Sequence, residues 1–379
     1  MTRNKKSIKY CRLHPDNERE QQSLRIFDLL KKETDQSVKD ISRRTGVPES
    51  DVADYINICV KKDLLKISGE GDKGMVSFSA ENGKFLGVGF TPLDCVLTVM
   101  DLSGSIAAKE HIEIELLMKW KGKNKELKTI VETIEKGTKL ADEKFTCAGV
   151  AVPETMIDAN AKSMTILGEG IARIFGCDAL VSKAATAAGY GESDYGNGAE
   201  MKDILYMHSD LGAGVIIKEG MLFEADSSGA AADYQYLRPW KQFGVVVTAK
   251  SLVNKGLGTD IVKMVNGDIE KISLDVVIDA AGRKDELAGD LVKRSGLALG
   301  VRVAYLINMF NTCNVILGGG IERKEGGFIE LVKESSGKFL LDNLVSKVEV
   351  IPGKLGREAS SIGAASLCRR ESFMEVLEV

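Results

Sequence analysis

The stretch LALGVRVAYLINMFNTCNVILGGGI, residues 297–321, joins a helix, a strand and a turn. Its first part closes an amphipathic helical run over residues 285–311, and VIL (315–317) is a short apolar strand. Gly318, Gly319 and Gly320 follow directly. Three glycines there permit either close backbone approach to a nucleotide or a tight strand-to-helix turn with nothing bound. The same alternation continues outward. FLGVGF (85–90), CVLTVMDL (95–102), CAGVAVP (147–153), ILYMH (204–208), GVIIKEG (214–220) and KVEVIP (347–352) are β-rich runs between helical stretches such as 123–138. Strands alternating with helices predict an α/β architecture.

The chain of 379 residues suits two or three domains with filled cores. A hydrophobic share of 44%, a charged share of 28% and a net charge of −4 are ordinary for a globular protein and advertise neither nucleic acid nor membrane. No apolar run approaches the ~18–20 residues of a membrane span, and the start MTRNKKSIKYCRL lacks the apolar core of a signal peptide. The seven cysteines are scattered without a CxxC pair, and His14, His111 and His208 are isolated. The expectation is a cytoplasmic protein with reduced thiols and no metal.

Residues 1–80 differ from the rest: polar, largely helical, with about three more basic than acidic side chains and the excess in Arg3, Lys5, Lys6, Lys9 and Arg12. Ser37 with Asp40 three positions on reads as a helix N-cap with a reciprocal partner. Gly46 allows a tight turn, Pro48 opens the next helix, and Val52, Ile56 and Val60 form its inward stripe. LLKIS and MVSFS around GEGDKG read as a two-stranded wing. This order predicts a winged helix-turn-helix whose second helix, starting near Glu49, enters the DNA major groove. Candidate DNA contacts are Arg43, Arg44, Glu49, Ser50, Tyr55, Lys61, Lys62 and Lys73, together with the basic arm. Glu49, Asp51 and Asp54 at the helix start oppose phosphate binding, although a carboxylate can accept from cytosine N4.

Across residues 82–368 a series of segments is similar in order to the ROK family, named for repressors, open reading frames and kinases. They are GKFLGVGFTPLDCVLTVMDLSG, CAGVAVPETMIDA, ALVSKAATAAGYGE, ILYMHSDLGAGVIIKEGMLF, SSGAAADYQYL, LALGVRVAYLINMFNTCNVILGGGI and LGREASSIGAASL. The winged helix in front resembles the repressor branch. The resemblance implies a two-lobed actin-like, RNase H-like fold with a ligand cleft between lobes, in a homodimer. It divides the chain into residues 1–80 (winged helix-turn-helix with a basic arm), 81–199 plus 362–379 (first α/β lobe) and 200–361 (second α/β lobe). Family kinases phosphorylate sugars with ATP, and family repressors sense sugars or their derivatives.

The departures from the family's kinase pattern are chemical. The Asp-x-Gly-Gly-Thr phosphate loop is matched by Gly89-Phe90-Thr91-Pro92-Leu93, which lacks the aspartate and one backbone donor. The second glycine loop is matched around Gly212 and Gly214, but its leading glycines are His208 and Asp210. A carboxylate ~4 Å from a phosphate costs about 4 kcal/mol at an effective dielectric of 20. A neutral backbone hydrogen bond returns only ~0.5–1.5 kcal/mol. The stretch 205–220 therefore reads as a turn between paired strands. The family's Asn-Asp pair is matched by Lys183 and Ala184, and alanine cannot act as general base. The zinc-binding Gly-Glu-x-Gly-His is matched by Ala232-Asp233-Tyr234-Gln235-Tyr236, with no cysteine between Cys177 and Cys313.

The resulting expectation is a transcriptional regulator that binds operator DNA as a dimer, with a non-catalytic sensor region and no cofactor. Candidate ligand contacts are Asp233, Lys183, Glu154 and Asp158; a charged Lys183 would favour a sugar phosphate or sugar acid over a neutral sugar. Gly318, Gly319 and Gly320 are expected as a structural turn. The alternatives are an ATP-dependent sugar kinase with a fused regulatory domain, and a scaffold that binds no DNA.

Overall fold

A computed structural model of the chain describes residues 6–69, 74–91, 94–114, 123–157, 160–209, 212–225, 245–324 and 327–377. The expected positions Lys73, Asp158, Asp210 and Asp233 lie outside the described residues. The N-terminal unit comprises α1 (Glu18–Lys32), β2 (Gln36–Ser37), α2 (Val38–Thr45), α3 (Glu49–Lys61), β3 (Leu65–Ser68) and β4 (Met75–Phe78), preceded by β1 (Ile8–Tyr10). Local chemistry sets its boundaries. The Asp40 amide donates to Ser37 Oγ at 3.1 Å, and Gly46 caps α2 with φ 72°, a left-handed conformation glycine adopts without strain. Val52, Ile56 and Cys59 face inward from α3, and β3 pairs antiparallel with β4 from Leu65↔Phe78 to Ser68↔Met75. Helix, turn, helix and hairpin form the winged helix-turn-helix arrangement that the spacing predicts.

Two sheets follow. The first holds β5 (Lys84–Phe90), β6 (Asp94–Asp101), β7 (Ile106–Glu113), β8 (Cys147–Val152) and β9 (Asp178–Lys183), in the order β1-β9-β8-β5-β6-β7, with α4 (Asn124–Gly137), α5 (Lys162–Phe175) and α6 (Ala184–Tyr195). The second holds β10 (Ile204–His208), β11 (Gly214–Lys218), β12 (Met221–Ala225), β13 (Asn314–Gly318) and β14 (Glu349–Pro352), in the order β12-β11-β10-β13-β14. Its helices are α7 (Val245–Val253), α8 (Thr259–Met264), α9 (Leu274–Gly282), α10 (Glu286–Phe310), α11 (Ile321–Lys324), α12 (Phe328–Gly337) and α13 (Asp342–Val345). Leaving β1 aside, both sheets share one plan: an antiparallel three-strand meander, then two parallel strands beside its first strand. The chain thus repeats a topology without repeating a sequence, which is the two-lobed actin-like arrangement.

The last helix, α14 (Ala359–Met374), closes the first lobe. Gly87 and Gly149 let it lie backbone to backbone on β5 and β8, where an added Cβ would collide with the Ser361 and Ala364 carbonyls. Gly363 lets it meet α6 in the same way at the Ala187 carbonyl. The N-terminal unit shares this core rather than hanging from a linker. Phe27 of α1, Phe78 of β4 and Phe373 of α14 form an aromatic cluster with centroids 4.9–6.1 Å apart, and the buried Arg369 guanidinium lies over Phe27 and Phe78.

Residues 8–10 do not form the free basic arm that the sequence suggests. They add β1 to the edge of the first sheet, parallel to β9. Lys9 Nζ lies 2.5 Å from Glu375, and Arg12 pairs with Glu371 and Glu20. Alternating Ile8 and Tyr10 read equally well as strand, but only the tertiary edge beside β9 offers them a partner.

Candidate functional site

Two regions carry chemistry. The first is the cleft between the sheets, a cavity of about 410 Å³ lined by Phe90, Ala184, Tyr206, His208, Leu274 and Arg357 among others. The strand-turn-strand at 204–218 is closed by its own backbone: the His208 amide donates to the Ala213 carbonyl at 2.7 Å and the Gly212 amide to the His208 carbonyl at 2.8 Å. The Ser209 amide donates to the Gly318 carbonyl at 2.6 Å. At the first loop Thr91 and Asp94 exchange side-chain and backbone hydrogen bonds, and His111 Nδ1 lies 3.1 Å from the second Asp94 oxygen. These amide groups already have partners, so a phosphate would have to break existing bonds to claim them.

The glycine triplet is filled from within as well. A Cβ on Gly318 would meet the Tyr206 hydroxyl, and one on Gly319 would lie 2.6 Å from His208 Nδ1. Gly319 and Gly320 have φ of 106° and 115°, values closed to other residues. The close approach these glycines allow is used by two of the protein's own rings. The Gly320 amide donates to Glu322 at 2.9 Å, and the Ile321 amide to Ser209 Oγ, which itself donates to Glu322 at 2.8 Å. Burial pushes the His208 imidazole down to about 4, so it is neutral at neutral pH.

At the mouth of α6, Lys183 Nζ lies 2.6 Å from Glu224 of β12, and Thr186 Oγ1 donates to the other Glu224 oxygen at 2.8 Å. The Lys183 charge, on which the expectation of an anionic ligand rests, is matched by Glu224. Glu224 escaped the sequence reading; its one trace is a carboxylate in the otherwise apolar MLFEA strand. Glu154 Oε1 accepts from the Ala185 amide at 2.9 Å and serves the start of α6. Its Oε2 is enclosed without a hydrogen-bond partner, and burial pushes the carboxyl up to about 7, against the opposing pull of the Ala185 amide and Lys183. Ala184 lines the cavity where the pattern expects a general base.

The second region is the outer face of the helix-turn-helix. Arg43, Arg44, Glu49, Ser50, Lys61 and Lys62 are exposed, Arg43 paired with Asp40 at 2.7 Å and Arg44 with both Glu33 oxygens. Lys62 Nζ donates to the Val376 carbonyl at 3.2 Å. Tyr55 is a correction: it is buried, and its hydroxyl donates to the Phe373 carbonyl at 3.1 Å. The spacing Val52–Tyr55–Ile56–Cys59 is an i, i+3, i+4, i+7 stripe that could have placed it inside. Asn57 is likewise exposed on α3, as are Asp54 and Lys61.

The two regions are joined through α6. Its C-terminal Asp194 holds Lys31 of α1 at 2.7 Å and Ser366 of α14 at 2.5 Å. Burial pulls the Lys31 ammonium down, but Asp194 and Asp28 outweigh it and hold the group well above its ordinary range. One helix therefore lines the cleft at its start and grips the N-terminal unit at its end.

Residues 250–371 match the ROK family model. That stretch is similar to the ROK family. It is 22% identical over 390 residues to the xylose repressor of Bacillus spizizenii, covering 94% of this chain and 97% of that protein. A solved structure described as a ROK family transcriptional regulator, homolog of the E. coli MLC protein, superposes with a TM-score of 0.64 at 15% identity, covering 95% of this chain and 97% of the other. The glucokinase of Streptomyces griseus solved with glucose and AMPPNP superposes at 0.55 and 18% identity, covering 75% of this chain and 99% of the kinase. The regulator's match extends over the N-terminal unit, and the ROK fold accounts for both lobes. Among the described residues no group of three or more His, Cys, Asp or Glu could hold a metal, and no helix is long and apolar enough to cross a membrane.

Proposed function

We propose that this chain is a cytoplasmic transcriptional regulator that binds operator DNA as a homodimer and has a cleft that senses a neutral sugar without phosphorylating it. The observation that carries the reading is the internal satisfaction of the cleft. The glycine triplet faces Tyr206 and His208, the adjacent amides are bonded to Glu322 and Ser209, and Ala184, which the family resemblance matches to the base, lines the cavity. The repressor relative, matched over nearly its full length, supports the DNA-binding half of the reading. Ser50, Asn57 and Lys61 on α3, with Arg43 and Arg44 on α2, would make the contacts: asparagine to adenine edges, the cations to phosphates. Lys183 with its charge matched by Glu224 favours an uncharged polyol over a sugar phosphate or sugar acid.

Selection from random duplex DNA at low salt tests the first half. The expected product is a pseudo-palindrome with half-sites about 34–36 Å apart or a multiple of that spacing. Arg43→Ala with Arg44→Ala should weaken binding and reduce its salt dependence. Retention of no duplex at ~50 mM salt would refute DNA binding and favour the scaffold reading. A coupled ADP-release screen across hexoses and amino sugars tests the second half; turnover would restore the kinase reading.

A further inference from the structure

Two of the seven cysteines, 221 positions apart in sequence, meet on α14. Cys11, Cys147 and Cys177 all lie close enough to Cys368 to push its thiol up, after the larger effect of burial. The geometry follows from one glycine. At Gly149 the backbones of β8 and α14 touch at the Ala364 carbonyl. Cys147 precedes Gly149 by two residues and so shares its sheet face; Cys368 follows Ala364 by four and so shares its helix face. The two side chains must therefore point at each other across an interface too thin for ordinary packing. Their Sγ atoms are 3.1 Å apart, inside the ~3.5–4.0 Å that separates even non-bonded carbons. Forming a bond of ~2.05 Å takes about 1 Å of movement.

We propose that Cys147 and Cys368 are a disulfide-forming site, oxidised by hydroperoxides and reopened by small thiols. Cys147, partly exposed at the start of β8, is the thiol an oxidant reaches first; Cys368 is buried. The Cys147 sulfur takes an oxygen from the hydroperoxide to give a sulfenic acid, and the hydroperoxide leaves as an alcohol, or as water from hydrogen peroxide. The Cys368 sulfur then bonds to the Cys147 sulfur, and the sulfenic hydroxyl leaves with the Cys368 proton as water. Two thiols lose two electrons and one hydroperoxide gains them. Two equivalents of small thiol reverse the bond by exchange, leaving as their own disulfide. Cys368 precedes Arg369, which lies over Phe27 and Phe78, and Arg370, which donates to the Arg12 carbonyl at 2.9 Å. The bond would pin α14 where the N-terminal unit docks.

The test uses the full-length protein treated with hydrogen peroxide, alkylated and digested without reductant. Free thiols should fall from seven to five, with one cross-linked peptide pair containing Cys147 and Cys368, and dithiothreitol should restore all seven. Cys177→Ser should still lose two thiols, and Cys147→Ser should form no such pair. The oxidised wild type should melt higher than the reduced form, because the cross-link closes a very long loop in the unfolded chain. A thiol count that stays at seven, a bond that maps to Cys147 and Cys177, or a lower melting temperature on oxidation would overturn the proposal. Cys147→Ser changes a partly exposed position, so the test does not depend on replacing the buried partner.

Discussion

Replacing Glu154 by glutamine isolates the carboxyl charge held at the start of α6. The carbonyl of the new amide keeps the acceptor that Ala185 uses, while the enclosed second oxygen gives way to a neutral donor. In the wild type the folded carboxyl titrates near 7, against an ordinary 4.5. Between those values the native state binds more protons than the unfolded chain, so stability must fall as pH rises. From pH 5 to pH 8 this one group contributes a loss of about 2.5 kcal/mol if the whole shift is realised. Because Glu154 as a whole residue is only half-buried, water should screen it, leaving roughly half of that. Urea denaturation of both proteins at pH 5 and pH 8 measures the difference directly. The variant should gain on the wild type by about 1–2.5 kcal/mol over that interval. Parallel pH profiles, or a variant that loses ground at pH 8, would show that Glu154 does not sit in the enclosed, unpaired state described.

Other perturbations address the junction and the outer face. Lys31→Met leaves Asp194 buried without its cation and should destabilise by about 3 kcal/mol in denaturant melts. Phe373→Ala removes the centre of the aromatic cluster at a cost of about 3–5 kcal/mol, with α1 cleaved earlier in limited proteolysis. Tyr55→Phe should cost about 1–2 kcal/mol by stranding the Phe373 carbonyl, yet leave DNA affinity at constant folded fraction unchanged. Gly363→Ala should block the contact of α14 with α6 at the Ala187 carbonyl and be recovered mainly as unfolded protein, read by circular dichroism.

How much of this was legible beforehand depends on whether the signal was local. The winged helix-turn-helix was readable because caps, turns and stripes are set by residues within a few positions: Ser37 with Asp40, Gly46 before Pro48, Val52 with Ile56. The pairing of the strands at 204–208 and 214–218 was readable because both runs are apolar and a glycine-containing stretch joins them. Tyr55 was misread because its exposed-looking neighbours Asp51 and Asp54 masked a stripe that runs through it.

The sequence alone determined the α/β alternation and the N-terminal helix-turn-helix, since each follows from short-range periodicity and local side-chain chemistry. Only the tertiary structure decided which distant groups meet. Lys183 meets Glu224 across 41 positions, Tyr206 and His208 fill the space of Gly318 and Gly319, and β1 finds its edge beside β9. Such pairings carry no mark in the chain. They arise when two lobes and two helices close on one another, and burial then turns the nearest polar group into an obligatory partner.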